Sequence, residues 1–513
     1  GDMRHDGFQM RSLLVLGLLY SLGALPAVAA GGDAGTEISA PYLQTDNHLI
    51  NRAFRIGIGD LLGNVGMHQG GLLESPQLVI LAGLDYGRPW TRDASVNAWN
   101  GASLIMPGIT RNTLISVLLR DQGKVRIGGQ YWDAMVWATG AWHHYLCTAD
   151  RVFLSLALDA VANSLTYFEQ TEFNAETGLF RGPGWSDGVA AYPGIYGDSG
   201  GSSAILDWPR HNPDKVSQPG YGIPMKALST NCLYYNAYLV AGKMADELDR
   251  PADAAWSRRA AALKDAINQR FWMEDKGWYR FFVGPFGDCN DQEGLGHAYA
   301  LLFGIANRKQ AESIFENLHV TPAGFPCGWP TCPRYESQDG RSFGRHSGTV
   351  WPQIQGFWAE AAARRGKPKI FAHELYSLAR HAVRDNQFAE IYHPLTGEIY
   401  GGMQEAGERG IILWNATSRQ TWAATAFLRM VLHGMAGMQI QKDGIRFQPC
   451  LPPGVTHLKL GNLIYRDMKL AVTLSGAGQH VISMTANGKT VADSFLRNNG
   501  SGPMEINILM GNR

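Results

Sequence analysis

The hydrophobic pattern of residues 45–434 places the strongest constraint on the fold. Long amphipathic stretches alternate there with loops rich in glycine, proline and aromatic residues, and the clearest stretches are 227–248, 252–271, 308–318, 351–365 and 418–432. Apolar residues that recur at three- and four-residue spacing are typical of helices with one buried stripe. The helices come in pairs with long connections, and a ring of helix hairpins would bury the stripe of every pair. We therefore predict a mostly α fold over residues 31–435.

The pattern changes after Gly437. Short runs with β-type alternation occur at residues 444–447, 457–460, 468–474 and 480–484. Asn487-Gly488 is a strong signal for a two-residue hairpin turn, and residues 498–502 contain a second turn sequence. We predict that residues 436–513 form a small C-terminal β-sandwich domain, which packs on the helical part.

Charge and aromatic content narrow the class of ligand. The 513 residues carry a formal net charge of +0 and no basic run, so the sequence predicts no nucleic-acid partner. The chain has 15 Trp and 19 Tyr, and a core seldom needs so many. Indole and phenol rings stack on the apolar faces of sugar rings, so this excess fits a carbohydrate site. A large aromatic core explains it equally well.

Residues 1–30 have the pattern of a signal peptide. Arg11 precedes an apolar run at residues 13–25, and Ala27-Val28-Ala29 supplies small residues for cleavage. The run is short for a membrane span, and no later stretch has about 18 uninterrupted apolar residues. We therefore predict a periplasmic or secreted protein with no membrane anchor in the mature chain.

The six cysteines are scattered along the chain. Cys327 and Cys332 flank a turn-like spacer and can form a disulfide in an oxidising compartment, whereas two free buried thiols are the alternative. No second cysteine pair and no histidine cluster has the spacing of metal ligands, so we predict no metal site.

Two tryptophan-containing motifs are candidates for binding a sugar. Trp90 is followed closely by Arg92 and Asp93 at a predicted loop–helix junction, where the charged groups can hydrogen-bond hydroxyls while the indole stacks. An N-cap with a surface ion pair is the alternative. Trp132 and Asp133 form the second motif, for which core packing and an N-cap are the alternatives.

A glycine-rich loop at residues 178–188 ends in Trp185-Ser186-Asp187-Gly188. A carboxyl group against an indole with little water has its charged form disfavoured, so its pKa rises. A general acid at neutral pH needs such a shift. Asp187 is therefore our candidate acid, although an Asp-Gly turn residue explains the motif as well.

Two further segments supply polar groups next to aromatic residues. Arg345 and His346 precede a predicted helix that begins near Trp351-Pro352, where proline is allowed in the first turn. These three side chains can line a pocket or merely cap the helix.

Glu390 lies among aromatic residues just before a Pro/Gly turn, and Trp414 follows. We select Glu390 as the second carboxylate, able to activate water as a general base. Glu398 and Glu405 are nearby rivals, and a solvated loop glutamate is the alternative.

In combination these motifs resemble glycoside hydrolase families 63 and 37 and the debranching-type glucosidases, which belong to the six-hairpin glycosidases. The resemblance rests on residues 90–93, 348–352, 390–398 and 420–423, and covers about residues 80–432. It implies an (α/α)6 toroid and an inverting mechanism. The sequence departs from the family at Trp185-Ser186-Asp187, which has one extra residue between Trp and Asp.

The resemblance implies that Asp187 protonates the leaving oxygen and that Glu390 activates water on the opposite face of the sugar. It implies an α-linked oligosaccharide or glycoside as substrate and no metal or organic cofactor. Three alternatives stay open: a phosphorylase that uses Arg345 and His346, a polysaccharide lyase with Tyr192, Tyr196 or His346 as base, and an inactive sugar-binding protein.

Overall fold

The computed structural model describes residues 36–217 and 219–512, so the predicted signal peptide lies outside the described residues. Thirteen α-helices occur within these residues: α1 (His48–Gly63), α2 (Thr91–Asn100), α3 (Pro107–Ile115), α4 (Trp132–Thr148), α5 (Arg151–Thr171), α6 (Trp208–His211), α7 (Leu228–Glu247), α8 (Ala254–Phe271), α9 (Gly294–Leu302), α10 (Arg308–Asn317), α11 (Pro352–Arg364), α12 (Pro368–Asp385) and α13 (Thr421–Arg429). All five helical stretches read from the sequence are confirmed, as α7, α8, α10, α11 and α13. The last of these continues as a π-helix, Met430–Met435.

Local sequence explains where several helices begin and end. Asp150 accepts a hydrogen bond from the Phe153 amide at the start of α5, and Asn307 forms a capping box with Gln310 at the start of α10. Pro352 occupies the first turn of α11 as expected. Asn386 ends α12 in the left-handed conformation that asparagine tolerates.

Six of the helices contact one another in a closed sequence. Helix α2 packs on α4, α4 on α7, α7 on α9, α9 on α11, α11 on α13, and α13 returns to α2. Most of the other helices pack outside this circuit: α3 and α5 contact α4, α8 contacts α7, and α1 and α12 contact α13. The helical part is therefore built from an inner set of helices with partners around it.

The strands are β1 (Tyr42–Thr45), β2 (Val65–His68), β3 (Gln77–Ile80), β4 (Leu118–Asp121), β5 (Lys124–Ile127), β6 (Phe173–Asn174), β7 (Leu179–Phe180), β8 (Lys226–Ala227), β9 (Trp272–Met273), β10 (Trp278–Tyr279), β11 (Phe282–Val283), β12 (Gln292–Glu293), β13 (Gly328–Trp329), β14 (Met403–Glu405), β15 (Ile411–Leu413), β16 (Met438–Gln441), β17 (Gly444–Phe447), β18 (His457–Tyr465), β19 (Met468–Ser475), β20 (His480–Ala486), β21 (Lys489–Thr490), β22 (Phe495–Arg497) and β23 (Gly502–Gly511). Strands β2–β15 form short two-stranded sheets between the helices.

Two sheets occupy the C-terminal part. One has the order β1-β18-β19-β23-β20-β21 and the other has the order β16-β17-β22. All pairs are antiparallel except β19 with β23. The predicted turn is confirmed, because Asn487 and Gly488 have φ of 47° and 78° and join β20 to β21.

One strand of the larger sheet comes from the other end of the chain. Strand β1 pairs antiparallel with β18. The sequence pattern had assigned the residues of β1 to the helical part. The side chains of β1 alternate between exposed and buried, as expected for an edge strand with one covered face. Buried residues of α1, α12, α13 and both sheets form one hydrophobic cluster, so the two parts share a core.

The six cysteines are buried free thiols, so Cys327 and Cys332 do not form a disulfide in this structure. Over residues 36–217 and 219–512, none of the helices is both long enough and apolar enough to cross a membrane.

Candidate active site

The N-termini of three inner helices border one cavity of about 210 Å³. Trp90, Trp351 and Gln420 precede the first residues of α2, α11 and α13 respectively, and all three face it. The remaining lining comes from loops, and the full set is Tyr86, Trp90, Arg92, Asp93, Trp185, Asp187, Gly188, Ser203, Ala204, Arg345, His346, Trp351, Glu390, Gln404, Trp414, Gln420 and Trp422. The cavity therefore brings together both predicted catalytic carboxyl groups.

Glu390 is buried and held from three sides. Its Oε2 accepts hydrogen bonds from Arg345 Nη2 at 2.8 Å and from the Thr417 amide at 2.9 Å. Tyr86 donates its hydroxyl proton to Oε1 at 3.2 Å. These three hydrogen bonds hold the Glu390 carboxylate in one position at the cavity.

Arg345 is fixed as tightly as the glutamate it contacts. Its Nη1 donates to the Gly401 and Asn415 carbonyl oxygens at 2.8 and 3.0 Å. The guanidinium carbon lies 5.5 Å from the Trp351 ring centroid and 5.7 Å from that of Trp414. These contacts restrict the rotamer of Arg345, so the position of the Glu390 carboxylate is set before any ligand binds.

A second guanidinium group holds Asp187. Arg92 Nη2 donates to Asp187 Oδ2 at 3.1 Å, and its Nη1 donates to Asp133 Oδ2 at 3.1 Å. Asp133 is fully buried, whereas 39% of the Asp187 side chain is exposed. The exposed fraction leaves Asp187 accessible from the cavity.

The predicted raised pKa of Asp187 is wrong for this state of the site. Burial raises the pKa of Asp187, but the positive charges of Arg92 and Arg345 outweigh burial and hold this pKa below its usual value. The sequence motif placed an indole beside the carboxyl group without revealing that a guanidinium from helix α2 would reach it.

Asp93 has the opposite environment. Its carboxyl group faces the cavity but is only 4% exposed, and burial is the main reason that its pKa rises to about 8. Arg92 lowers this pKa, while the charges of Asp133, Glu390 and Asp187 raise it. Asp93 is therefore mostly neutral at pH 7.

Aromatic rings form much of the wall. Trp185 and Trp351 lie 5.2 Å apart in an edge arrangement, and Trp351 makes a similar contact with Trp422 at 6.3 Å. His346 stacks on Trp351 with a centroid distance of 5.0 Å, and burial lowers its pKa to about 3, so it is neutral at pH 7. Such walls offer apolar faces for a sugar ring.

Most of the sequence-predicted site residues meet in this cavity. Trp90, Arg92, Asp93, Trp185, Asp187, Arg345, His346, Trp351, Glu390 and Trp414 all line it. Trp132 and Asp133 do not: Trp132 is 2% exposed within the hydrophobic core, and Asp133 lies behind Arg92. The structure thus gives Asp133 a supporting position.

The rival carboxylates and lyase bases lie elsewhere. Glu398 is exposed, and Glu405 is bound by Tyr335 and Arg334 outside the cavity lining. Tyr192 is buried and donates to the Ser186 carbonyl oxygen at 2.6 Å, while Tyr196 is buried against Trp208. Of the side chains considered as lyase bases, His346 alone lines the cavity.

Sequence reasoning missed four polar residues that line the site: Tyr86, Ser203, Gln404 and Gln420. Tyr86, in the loop before α2, contacts Glu390, and Gln404, on β14, lies 3.1 Å from His346 Nδ1. The aromatic loop before Trp90 was a weak signal for Tyr86, but no local pattern identified Gln404. Over the described residues there is no group of three or more His, Cys, Asp or Glu side chains that could hold a metal ion.

Comparison with known families identifies the class of protein. The model of the mannosylglycerate hydrolase MGH1-like glycoside hydrolase domain matches residues 128–423, more than half of the chain. The protein is thus a glycoside hydrolase by family, and it belongs to the MGH1-like glycoside hydrolase domains. The C-terminal domain of glycosyl hydrolase family 65 matches residues 438–491. No curated protein sequence matches the chain.

Solved structures are similar in fold. A sialidase has a TM-score of 0.64 and 13% identity, with 90% of this chain and 42% of that chain covered. A GH78 rhamnosidase of Bacillus sp. GL1 has a TM-score of 0.54 and 13% identity, with 93% and 45% covered. This chain therefore spans less than half the length of either protein.

The GH63 mannosylglycerate hydrolase from Thermus thermophilus, solved in complex with glucose, has a TM-score of 0.54 and 14% identity. The alignment covers 74% of this chain and all of that chain. At such identities the likeness concerns the fold, and any common substrate needs a separate argument.

Proposed function

We propose that this protein hydrolyses a glycosidic bond by an inverting mechanism, with Asp187 as general acid and Glu390 as general base. The observation that carries the proposal is the shared cavity, in which the two carboxyl groups are held by different guanidinium groups between aromatic walls. Inversion requires the carboxyl groups roughly 6.5–9.5 Å apart, so that a water molecule fits beside the base.

Because Asp187 is paired with Arg92 before substrate binds, the mechanism needs substrate binding to change the protonation of Asp187. Arg92 holds Asp187 in its ionised form, so a proton must be taken up before the aspartate can donate one. A sugar hydroxyl that replaces Asp187 at Arg92 would remove this stabilisation and favour protonation. Glu390 keeps its contacts with Arg345 and Thr417, and accepts the proton of the attacking water.

The closed sequence of α2, α4, α7, α9, α11 and α13 supports an (α/α)6 toroid, with the cavity at one end of the inner helices. The pattern of residues 1–30 supports export to the periplasm or to the medium. Export can be tested by sequencing the N-terminus of the protein recovered from each cell fraction.

A neutral sugar suits the cavity best. Its lining contains three carboxyl groups, and both of its guanidinium groups are already paired with carboxylates. An anionic sugar such as a sialic acid or uronate would meet no unpaired cation among the described lining residues. Phosphorolysis is disfavoured for the same reason, because phosphate would have to compete with Glu390 for Arg345.

The family and the fold favour an α-linked substrate with a manno- or gluco-configured sugar. The Thermus thermophilus mannosylglycerate hydrolase has been solved in complex with glucose and in complex with Tris and D-glycerate. The first compounds to try are therefore α-mannosyl and α-glucosyl glycerate, whose negative charge lies on the glycerate while the sugar ring is neutral. Rhamnosides follow from the Bacillus neighbour.

The test is a proton NMR time course with these glycosides and a panel of α-linked disaccharides. Wild-type protein should release a sugar of inverted anomeric configuration, and Asp187→Asn and Glu390→Gln should each reduce kcat by roughly 10²–10⁴-fold. Glu398→Gln, which changes an exposed glutamate nearby, is the matched control and should keep wild-type activity. Retention of configuration, phosphate-dependent cleavage or an unsaturated product would contradict the proposal.

A further inference from the structure

Asp93 differs from the other carboxyl groups that line the cavity. Asp187 is paired with Arg92 and Glu390 with Arg345. Within the described part of the chain, Asp93 has no such partner, since no arginine, lysine or histidine nitrogen lies within 4.0 Å of its carboxylate. A buried carboxylate without a cation or several hydrogen-bond donors is strongly disfavoured.

Gln420 does not provide the missing donor. Its amide nitrogen lies 3.5 Å from Asp93 Oδ1, at the limit of a hydrogen bond. With the amide turned over, the nitrogen donates to the Ala82 carbonyl oxygen at 2.9 Å and the oxygen accepts from Trp422 Nε1 at 3.2 Å. This orientation satisfies both amide atoms and leaves Asp93 without a bond from Gln420.

The surrounding charges oppose ionisation of Asp93 as well. Three carboxylates, Asp133 from α4 and Asp187 and Glu390 from the loops, act on it together with the guanidinium of Arg92. The cavity lining also contains Arg345 and the neutral His346 and Tyr86, and Arg345 is already paired with Glu390. A further negative charge would thus add to three carboxylates that two guanidinium groups only partly balance.

We propose that Asp93 binds the sugar as a neutral carboxylic acid, donating its O–H to a ring oxygen or a glycosidic oxygen, and that loss of this proton closes the site at alkaline pH. This inference rests on the proposed function, since it concerns the same cavity. The ionised group can only accept hydrogen bonds, so it cannot contact a ring oxygen or a glycosidic oxygen, which have no proton to give. On deprotonation the proton passes to solvent.

The first experiment measures protonation directly and needs no substrate. Infrared difference spectra of the whole protein, wild type minus Asp93→Asn, should show the C=O stretch of a protonated carboxyl group at about pH 6.5. The band should disappear at about pH 9.5, because the pKa is about 8. Its absence at about pH 6.5 would overturn the proposal, whether or not any glycoside is cleaved.

The second experiment is the pH profile of kcat/KM for a glycoside that the NMR panel identifies. Wild-type kcat/KM should fall about tenfold per pH unit above pH 8, because only the protonated fraction binds. Asp93→Asn keeps a neutral donor, so its lower kcat/KM should not fall in that range. Asp93→Ala should have the lowest kcat/KM, through a raised KM.

Two results would contradict this prediction. A folded Asp93→Asn protein that keeps the alkaline fall would assign the fall to another group. An Asp93→Asn protein with less activity than Asp93→Ala at every pH would show that the site needs the carboxylate form. Failure of the proposed function looks different, since the infrared band would then be present while no glycoside is cleaved.

Discussion

Each of the two guanidinium groups of the cavity is paired with one carboxyl group. Arg92 pairs with Asp187, and Arg345 pairs with Glu390. Asp93 is buried, and most of the charges that act on it are negative. Residues of one chemical type therefore differ in protonation because of their neighbours. The same difference makes the stability of the protein depend on pH.

The pKa of Asp93 is raised from 3.8 to about 8 in the folded protein, so the folded state holds a proton that the unfolded state loses. The contribution of Asp93 to the free energy of unfolding therefore falls as pH rises from about 4 to about 8. We expect Asp93→Asn to be more stable than wild type, by a margin that grows with pH over this range.

Urea unfolding of both proteins at several pH values measures this margin, which can grow by up to roughly 1.4 kcal/mol per pH unit. Asp265→Asn, at an exposed position on α8, is the matched control and should show a constant difference from wild type. A margin for Asp93→Asn that does not change with pH would show that Asp93 is ionised throughout.

At the scale of elements, α1 supports the segment that carries Glu390. Asp60, a buried residue in the last turns of α1, accepts hydrogen bonds from the Phe388 amide at 2.8 Å and from Arg419 at 2.6 Å. Asn64 adds a bond to the Arg419 carbonyl oxygen at 2.8 Å. The segment that carries Glu390 and the segment that carries Thr417 are thus both hydrogen-bonded to the C-terminal end of α1.

We expect Asp60→Asn to loosen this attachment. One amide oxygen cannot replace both carboxylate oxygens, so one buried donor loses its partner, which costs about 1–3 kcal/mol of stability. The Glu390 carboxylate should become less well placed, so kcat should fall several-fold with little change in KM. Thermal unfolding and steady-state kinetics measure the two effects. Asp275→Asn, at an exposed loop position, is the control.

An Asp60→Asn protein that loses stability but keeps wild-type kcat would limit Asp60 to a structural role. A change confined to KM would also contradict positioning of the base, since it would indicate weaker sugar binding instead.

The elements with strong local patterns were predictable from the sequence. Periodic apolar residues identified α7, α8 and α11, and Asn487-Gly488 identified the turn between β20 and β21. Strand β1 was not predicted, because a run of only four residues becomes a strand by pairing with β18, which lies more than 400 positions away in the sequence.

In the site as well, features with a local sequence pattern were predictable and features set by distant contacts were not. Motifs that join an aromatic residue to an acidic residue led to Asp187 and Glu390, since this chemistry is visible locally. The contact of Tyr86 with Glu390 joins residues 304 positions apart, and Arg92 reaches Asp187 across 95 positions. Such long-range contacts determine the hydrogen bonds of the site and shift its pKa values, and a local sequence pattern does not reveal the contacts.

At the scale of the whole molecule, the helical part and the sheets are joined by one core. Strand β1 extends the larger sheet from the N-terminal side of α1, and Phe54, Phe427 and Leu470 belong to the same buried cluster. The C-terminal sheets therefore support helices α1 and α13, which flank the loops around Glu390. Unfolding of the sheets should remove activity together with sheet structure.

Leu470→Ala tests this coupling. Leu470 is fully buried on β19, so removing its side chain should reduce stability by about 2–5 kcal/mol. The variant should unfold in a single calorimetric transition at lower temperature, and activity, helical circular dichroism and tryptophan fluorescence should be lost together. Ile482→Ala, at an exposed position on β20, is the control and should change stability little. A second transition, with the helical signal and activity surviving the first, would mean that the sheets and the helical part fold independently despite their common core.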